Sequence, residues 1–426
     1  MVNKLKEITA NLIWKFLERN PSLKKRIFRF YAWRIFEIIP FFKKILYQIY
    51  DKVWYMELLV DTDKFDVSNY QKKTYAIASK RLKYFKYIKE VNKINQLKDN
   101  WDLPNQLNKI EDSDEFQLLL DHFIKGIDWR KTTSYSKIVK QFSNSRLLVG
   151  FKDENEFLNA LYKLDEFYKS SNSLNTFELL KKVKVGIGRT GEYIIFEGLL
   201  TFLLLKILNQ EKIIIEIIIR HPLWIKFSKE FLRFQYLHGE IYHPLIHPDL
   251  TLESSYTDER YKIIEENLSF KNGTVLDIGA NLGFFCHKFE DLGFECYAVE
   301  LRPSNVYFMR KLRDIEKKKF IIINKSIFDY KDKFDFDVVL ALNIFHHFLR
   351  EKDLYYKLIK FLDNLKIKEM YFQPHNPKEK IMKNAYKNYN NEQFVNFIIK
   401  NSCLNNFKQI NDNSDGRTRP IFKITL

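Results

Sequence analysis

Cysteine is scarce in this 426-residue chain, which contains only Cys286, Cys296 and Cys403 and has no Cys-x-x-Cys pair. A disulfide framework and a cysteine-based zinc cluster are therefore not expected, and the composition fits a reducing compartment. The chain also lacks an apolar run near the roughly 20 residues needed to cross a bilayer. Its N-terminus has no uninterrupted hydrophobic segment of the signal-peptide kind. We expect a cytoplasmic protein, or one that associates peripherally with a membrane.

Glycine is also scarce, with 12 in the chain and none before Gly126. Eight of them fall in two windows, residues 186–198 and 273–293. Glycine is favoured where the backbone adopts a positive φ or approaches another group closely. The two windows are therefore where we expect tight turns or a ligand.

Positive charge is concentrated at the N-terminus. The net charge is +17, and residues 1–50 hold eleven Lys and Arg against three Glu. Aromatic and aliphatic residues alternate with these charges at a spacing that predicts basic amphipathic helices. Two interpretations stay open: ordinary helices with a buried apolar face, or a surface that binds anionic membrane or nucleic acid.

The pattern of residues in the next segment, 51–235, predicts an α+β domain. It begins with a short β-like run at Trp54–Val60, and Asn100–Asp114 is the segment most typical of a loop or insertion. The first glycine window is followed by β-branched and apolar runs, which favour strands and a helix. The expected elements are a turn at Arg189–Glu192, a strand at Tyr193–Phe196, a helix over Leu199–Leu208 and a strand at Ile213–Arg220.

These elements resemble the frame of the ParB/sulfiredoxin-like nuclease superfamily over Asp51–Trp224. In that family a helix N-terminus carries a Gly-x-His-Arg box that handles phosphate. The corresponding positions here hold Leu200 and Thr201, and leucine cannot serve as acid, base or phosphate donor. The resemblance thus implies a degenerate domain that acts as a scaffold or recognition surface. Its remaining candidate anion contacts are Arg189, Arg220 and His221. The favoured alternative is that these three are ordinary turn and strand-end residues.

Residues 236–256 predict a linker loop, since they contain a glycine and two prolines. Three histidines (His238, His243, His247) and Asp249 suggest a metal site. However, the prolines disfavour the helix that would align His243 with His247. We therefore expect no metal here and a linker that closes over the site that follows.

The second glycine window predicts a nucleoside site. After a helix over residues 258–268, Val275–Ile278 reads as a buried strand, followed by a glycine turn and a helix from about Leu282. A second strand, Glu295–Val299, ends in Glu300. Glycines let the backbone approach a ligand, the helix N-terminus offers free N–H groups, and the acid binds ribose hydroxyls.

The ligand is indicated by the acid at the end of the first strand. The pattern is Asp277-x-Gly279-x-x-x-Gly283, with Asn281 where a dinucleotide site has its middle glycine. A carboxylate there would repel a pyrophosphate but suits the ammonium of S-adenosylmethionine. The stretch is similar to motif I of class I SAM-dependent methyltransferases. The resemblance covers Tyr256–Leu426 and implies a Rossmann-like domain over 257–426, with a seven-stranded sheet and an antiparallel last strand. A Rossmann-like domain that binds another ligand, or none, is the alternative.

The resemblance also implies roles for particular residues. The cofactor would contact Asp277, Gly279, Asn281, Gly283, Glu300, Ser326 and Asn343, with Asp329 near the adenine. His346 and His347 follow the predicted fourth strand, and an ordinary imidazole pKa near 6.5 would make either a usable base. Gln373 and His375, after the fifth strand, would complete the rim of the pocket.

The sequence contains little information about the methyl acceptor. An Asn-Pro-Pro-Tyr motif and a catalytic Pro-Cys pair are both absent, which disfavours amino methylation of nucleic acid and C5 methylation of cytosine. We expect O-methylation of a hydroxyl or carboxyl group on a small molecule or surface-glycan precursor. The competing hypothesis is a nucleic-acid or membrane-surface binding protein with a vestigial methyltransferase domain.

Overall fold

The computed structural model describes residues 66–68, 71–86, 94, 97, 99–143, 151, 153–170, 183–238, 241–330, 335–411 and 419–426. The predicted basic helices of residues 1–50 and the predicted strand at Trp54–Val60 lie outside these residues. Within the described part of the chain, no helix has both the length and the apolar character needed to cross a membrane.

The first half of the described chain forms a mixed six-stranded sheet. Its strands are β1 (Thr74–Ala78), β2 (Leu82–Phe85), β3 (Asn108–Lys109), β4 (Lys184–Ile187), β5 (Tyr193–Glu197) and β6 (Lys212–Arg220). They lie in the order β1-β6-β4-β5-β2-β3, with β6 antiparallel to β1 and parallel to β4. Strand β6 buries Ile213, Ile215 and Ile217, as the two-residue period of a strand requires.

Five helices belong to this half of the chain. They are α1 (Asp114–Phe123), α2 (Thr133–Ser143), α3 (Glu154–Ser170), α4 (Leu199–Ile207) and α5 (Pro222–His238). Six of the nine residues of α4 are buried, which is the pattern of a helix enclosed on most sides. The predicted turn, strand, helix and strand between residues 189 and 220 are confirmed. The predicted loop at Asn100–Asp114 is mostly irregular but is packed into the fold, since Trp101 and Asp102 are buried.

The second half forms a seven-stranded sheet. Its strands are β7 (Gly273–Ile278), β8 (Phe294–Val299), β9 (Ile321–Ile323), β10 (Asp335–Leu342), β11 (Lys366–Gln373), β12 (Asn406–Gln409) and β13 (Phe422–Thr425). They lie in the order β12-β13-β11-β10-β7-β8-β9. Strands β7 to β11 are parallel, whereas β13 is antiparallel to β11. The predicted seven-stranded sheet with an antiparallel last strand is confirmed.

Six helices accompany this sheet. They are α6 (Glu259–Glu266), α7 (Phe284–Asp291), α8 (Pro303–Ile315), α9 (His346–Leu349), α10 (Lys352–Asn364) and α11 (Asn391–Lys400). Because β7, β8, β10 and β11 run in one direction, their carboxyl ends meet at one edge of the sheet. In such sheets ligands bind at this edge.

The two halves share a hydrophobic core. Leu282, Phe308 and Leu312 belong to the same buried cluster as the residues of β4 to β6, and the rings of Phe231 and Phe308 are 4.2 Å apart. A half-buried ion pair between Arg81 and Glu316, with an N–O distance of 2.7 Å, joins the end of β1 to the end of α8. The first sheet therefore packs directly against the helical layer of the second.

Candidate active site

The turn between β7 and α7 has the backbone geometry of a ligand cradle. Gly279 and Gly283 have φ values of 77° and 79°, and Asn281 between them has 53°. These values lie in the left-handed region that glycine tolerates best. A Cβ atom on Gly279 would lie 2.9 Å from Ile344 Cδ1, and one on Gly283 would lie 2.9 Å from Met309 Cγ. The predicted glycine positions are therefore required by both conformation and space.

Glu300 lies at the end of β8 and holds this turn in place. Its carboxylate accepts hydrogen bonds from the backbone N–H of Asn281 at 2.9 Å and of Arg302 at 2.8 Å. The side chain is buried, and burial raises its pKa above the usual range for glutamate. The Asn305 side chain also forms a hydrogen bond with this carboxylate, and the remaining lone-pair capacity is available for a ligand hydroxyl.

Asp277 lies at the end of β7, beside the same turn, and lacks a strong partner. Its only hydrogen bond within the described residues is from the Cys286 thiol at 3.9 Å. Burial, assisted by the negative charge of Glu300, raises the pKa of Asp277 to about 7, and Arg260 opposes this shift. A buried carboxyl without a cation is costly when ionised, so this position suits a ligand that brings a positive charge.

Opposite the glycine turn lies a buried arginine that the sequence interpretation missed. Arg260 in α6 donates from Nη1 to Gln373 Oε1 at 2.6 Å and from Nη2 to His243 Nε2. Its guanidinium carbon lies 3.7 Å from the ring centroid of Tyr256 and 5.4 Å from that of Tyr242. The guanidinium has no ion-pair partner among the described residues, and its Nε atom is buried without a hydrogen bond. A buried cation with such neighbours can bind an anionic group.

Asn343, at the end of β10, connects this cluster to the C-terminal segment. Its Nδ2 donates to the Tyr242 hydroxyl at 2.8 Å, and its Oδ1 accepts from Arg419 Nη1 at 2.7 Å. Arg419 also pairs with Glu379, with an N–O distance of 2.6 Å. Asn343 thus lies between the linker loop and the C-terminal segment.

The two candidate bases form a ring stack with a third histidine. The rings of His346 and His347 are 4.1 Å apart, and those of His346 and His375 are 5.3 Å apart. His346 and His375 are buried, while His347 reaches the surface. The predicted grouping near the carboxyl end of β10 thus brings these three side chains together.

The expected pKa near 6.5 is wrong for both candidate bases. Burial, together with His347, His375 and nearby arginines, lowers the pKa of His346 to about 2. Partial desolvation and the charges of Arg350 and Arg302 lower that of His347 to about 4. Both rings are neutral at pH 7, but they bind a proton too weakly to be effective bases for a hydroxyl group.

The other residues singled out from the sequence have structural partners. Ser326 caps a short turn by accepting from Phe328 N–H at 3.4 Å, and Asp329 lies within that turn. Gln373 bridges Arg260 and the backbone oxygen of Arg419. The His375 Nε2 atom pairs with Asn388 Oδ1 at 3.0 Å. None of these contacts assigns a ligand to Ser326 or Asp329.

The possible anion contacts of the first domain are engaged inside the fold. Arg189 pairs with buried Asp102 and Arg220 with buried Asp249, each with an N–O distance of 2.7 Å. The His221 ring faces the backbone oxygen of Asp99 at 2.7 Å. These contacts support the structural interpretation of all three residues.

The linker histidines do not converge on a metal. His247 pairs with the backbone oxygen of Gly191 at 2.8 Å, and His243 stacks on Phe284 with ring centroids 4.8 Å apart. The side chain of His238 lies outside the described part of the chain. Among the residues described, no three His, Cys, Asp or Glu side chains are arranged to hold a metal ion. Linker residues 243–246 instead line a small cleft with Asn281, Leu282, Phe284 and Leu312, directly against the glycine turn.

The comparisons with known proteins agree with this geometry. Residues 276–363, from β7 through α10, match the family model of a methyltransferase domain. The matched residues include strands β8, β9 and β10 of the seven-stranded sheet, and this part of the chain carries a methyltransferase fold. No curated protein sequence matches the chain.

Similar solved structures share the fold alone. The bifunctional kinase-methyltransferase WbdD has 16% identity and a TM-score of 0.39, and the match covers 46% of each chain. The methyltransferase domain of bacterial CtHen1 has 16% identity and a TM-score of 0.31, with 40% of this chain and 98% of that chain covered. A putative O-methyltransferase from Nostoc punctiforme has 14% identity and a TM-score of 0.33, with 48% and 61% covered. The chain thus spans about half the length of WbdD, and these similarities carry no information about substrate.

Proposed function

We propose that this protein is an S-adenosylmethionine-dependent methyltransferase that methylates an oxygen atom of a small molecule or surface-glycan precursor. The supporting observation is the group of two buried acids and a left-handed glycine turn at one edge of a seven-stranded sheet. When bound, S-adenosylmethionine supplies an electrophilic methyl group on a sulfonium. The chain has to bind it, hold it and align an acceptor with it.

Each half of the cofactor has a suitable partner in the site. Asp277 would hold the ammonium group, because burial disfavours its ionised form despite the charge of Arg260, and a further positive charge would stabilise it. Arg260 would hold the carboxylate, since it is a buried cation without an acidic partner. Glu300 would accept hydrogen bonds from the ribose hydroxyls, and Gly279 leaves room for the nucleoside to approach the backbone.

We also propose that the N-terminal half is a degenerate ParB-like domain that serves as a scaffold for recognition of the substrate or a partner. Leu200 lies buried in α4, which supports a packing role for the position where an active box would have histidine. Cytoplasmic location, peripheral membrane contact through residues 1–50 and binding of nucleic acid are further proposals. DNA or liposome binding that weakens steeply between low and moderate salt would favour the last two.

The first test is calorimetric titration of S-adenosylmethionine into the full-length protein and into Asp277→Ala. We expect micromolar binding that the substitution abolishes. Asp291→Ala is the matched control, because Asp291 is a surface carboxylate at the end of α7 that pairs with Lys318. Absence of binding to the folded wild-type protein would contradict the proposed function, and loss of binding in both variants would contradict the role of Asp277.

A further inference from the structure

The side of the candidate active site where a methyl acceptor would bind, around His346 and His347, carries an excess of positive charge. Three guanidinium groups act electrostatically on the histidine stack: Arg302 and Arg350 on His347, and Arg350 and Arg419 on His346. We call these three arginines, together with the loop of residues 374–390 that follows β11, the acceptor-side rim. The loop adds four exposed lysines, Lys378, Lys380, Lys383 and Lys387, against the single acid Glu379.

Most of this positive charge is not neutralised within the protein. Arg302 and Arg350 are exposed. Among the described residues no side-chain hydrogen bond or ion pair engages either guanidinium, and the charge of Arg302 acts on Glu300 without direct contact. The four lysines likewise have no ion-pair partner in the described part of the chain. Glu379 is already paired with Arg419. An edge with this excess of cations attracts anionic ligands and raises their local concentration.

The position of the rim relative to the transferable methyl group makes this charge relevant to chemistry. Arg350 directly follows α9, and its backbone oxygen accepts a hydrogen bond from Tyr386 N–H at 3.2 Å, which ties the 374–390 loop to α9. Arg302 lies two residues after the ribose-binding candidate Glu300, to which its N–H donates. Arg419 contacts Asn343 at the end of β10. The rim therefore borders the carboxyl ends of β8, β10 and β11 together.

The candidate bases at this edge are poorly placed to activate a hydroxyl acceptor. Besides the buried acids Asp277 and Glu300, which are proposed to bind the cofactor, the described side chains there that could accept a proton are the three clustered histidines and Glu379. The histidines are disfavoured as proton acceptors by burial and by the surrounding arginines, and Glu379 is held in its ion pair. An acceptor oxygen that is already ionised needs no base.

We propose that the acceptor-side rim binds its acceptor through an oxyanion, a carboxylate or a phosphate monoester, and that this oxygen receives the methyl group. The proposal rests on the proposed function and narrows its substrate class from oxygen acceptors in general to oxyanions. An oxygen lone pair forms the new C–O bond with the methyl carbon, and the C–S bond breaks with its electron pair passing to sulfur. One negative and one positive charge disappear together, and no proton is released.

The test uses full-length protein saturated with S-adenosylhomocysteine, with benzoate, phenylphosphonate and neutral benzyl alcohol as probes in NMR titrations. We expect at least one anion to bind and benzyl alcohol not to bind. Preference for benzoate identifies a carboxylate site, and preference for phenylphosphonate identifies a phosphate site. The double variant Arg302→Gln/Arg350→Gln should weaken anion binding at least tenfold. Arg310→Gln is the matched control, because Arg310 is exposed on α8 and also has no ion pair among the described residues.

A second titration locates the anion relative to the methyl position. Sinefungin carries a positive amine in the place of the transferable methyl group of S-adenosylmethionine, a place that is empty in S-adenosylhomocysteine. An oxyanion about 4 Å from that position should therefore bind about fivefold more tightly with sinefungin than with S-adenosylhomocysteine. Equal anion affinities in the presence of sinefungin and S-adenosylhomocysteine would show that the anion binds far from the methyl position. That result would overturn the proposed methyl transfer to the anion. Failure of both anions to bind, or binding unaffected by the double variant, would overturn the rim as an anion site. Neither result would affect cofactor binding, on which the proposed function is judged.

Discussion

Glu300→Ala gives the sharpest test of how the site holds its nucleoside. The substitution removes a buried carboxylate that accepts two backbone hydrogen bonds, from Asn281 at 2.9 Å and Arg302 at 2.8 Å. Hydrogen bonds to a charged group contribute about 1.5–3 kcal/mol in proteins. If the ribose hydroxyls also bind this carboxylate, the affinity for S-adenosylmethionine should fall by about 10- to 150-fold.

The loss could also arise indirectly, because the substitution loosens the glycine turn. A thermodynamic cycle separates the two causes: S-adenosylhomocysteine and its 2′-deoxy analogue are titrated calorimetrically into wild type and Glu300→Ala. With direct ribose contact, removal of the hydroxyl costs affinity in wild type and much less in the variant. Equal costs in both proteins would refute the ribose assignment and leave Glu300 with a structural role.

Glu290→Ala is the matched control for this cycle. The Glu290 carboxylate also accepts two backbone hydrogen bonds, from Lys319 and Phe320, both at 2.8 Å to Oε2. It lies in α7 away from the carboxyl ends of the strands. We expect it to lower the midpoint of thermal unfolding about as much as Glu300→Ala, with cofactor affinity unchanged within a factor of two.

Three further predictions concern stability. The pKa of Asp277 is raised from 3.8 to about 7, so between these pH values the folded state keeps a proton that the unfolded state loses. The free energy of unfolding should therefore fall by about 4 kcal/mol as pH rises from about 4 to about 7. Asp277→Asn should therefore raise the melting temperature at pH 8 and leave it nearly unchanged at pH 4, and an equal shift at both values would contradict the raised pKa. Arg81→Ala should lower the free energy of unfolding in urea by about 2–3 kcal/mol, because it leaves Glu316 unpaired. The control Lys80→Ala removes an exposed contact with Asp291 at 3.7 Å and should lower it by less than about 1 kcal/mol. Similar losses in the two variants would argue against the Arg81–Glu316 pair joining the two halves. Gly279→Ala should destabilise by more than about 1 kcal/mol in the same assay, since its φ is 77° and Ile344 fills the space, and a neutral effect would show that the turn relaxes.

Local pattern was sufficient to predict the order of elements in the C-terminal half. The strand of Val275–Ile278, the glycine turn and the strand ending at Glu300 follow from runs of apolar residues and from glycine placement. The six-stranded sheet was predicted only in part, because β5 pairs with β2 and β4 pairs with β6, about 110 residues and about 30 residues away along the chain. Pairing over such distances leaves no local signal.

The arginines of the site show a second limit of sequence interpretation. Arg260 lies in an ordinary amphipathic helix, and nothing in its neighbours along the chain indicates that Tyr242, Tyr256 and Gln373 surround it. One signal in the sequence could have indicated this environment. The linker was expected to close over the site, and that position would bring its Tyr242 and Tyr256 close to the glycine turn. Arg419 reaches Asn343 only because β13 returns antiparallel beside β11.

The sequence by itself determined the Rossmann-like frame, the acids Asp277 and Glu300 and the glycines between them, because each depends on a few neighbouring residues and on backbone conformation. Only the tertiary structure decided the electrostatics. Burial raised the pKa of Asp277 and lowered those of His346 and His347, and chain segments far apart in sequence brought three arginines to one edge of the sheet. Desolvation and charge proximity are properties of the packed molecule, and no local pattern encodes them.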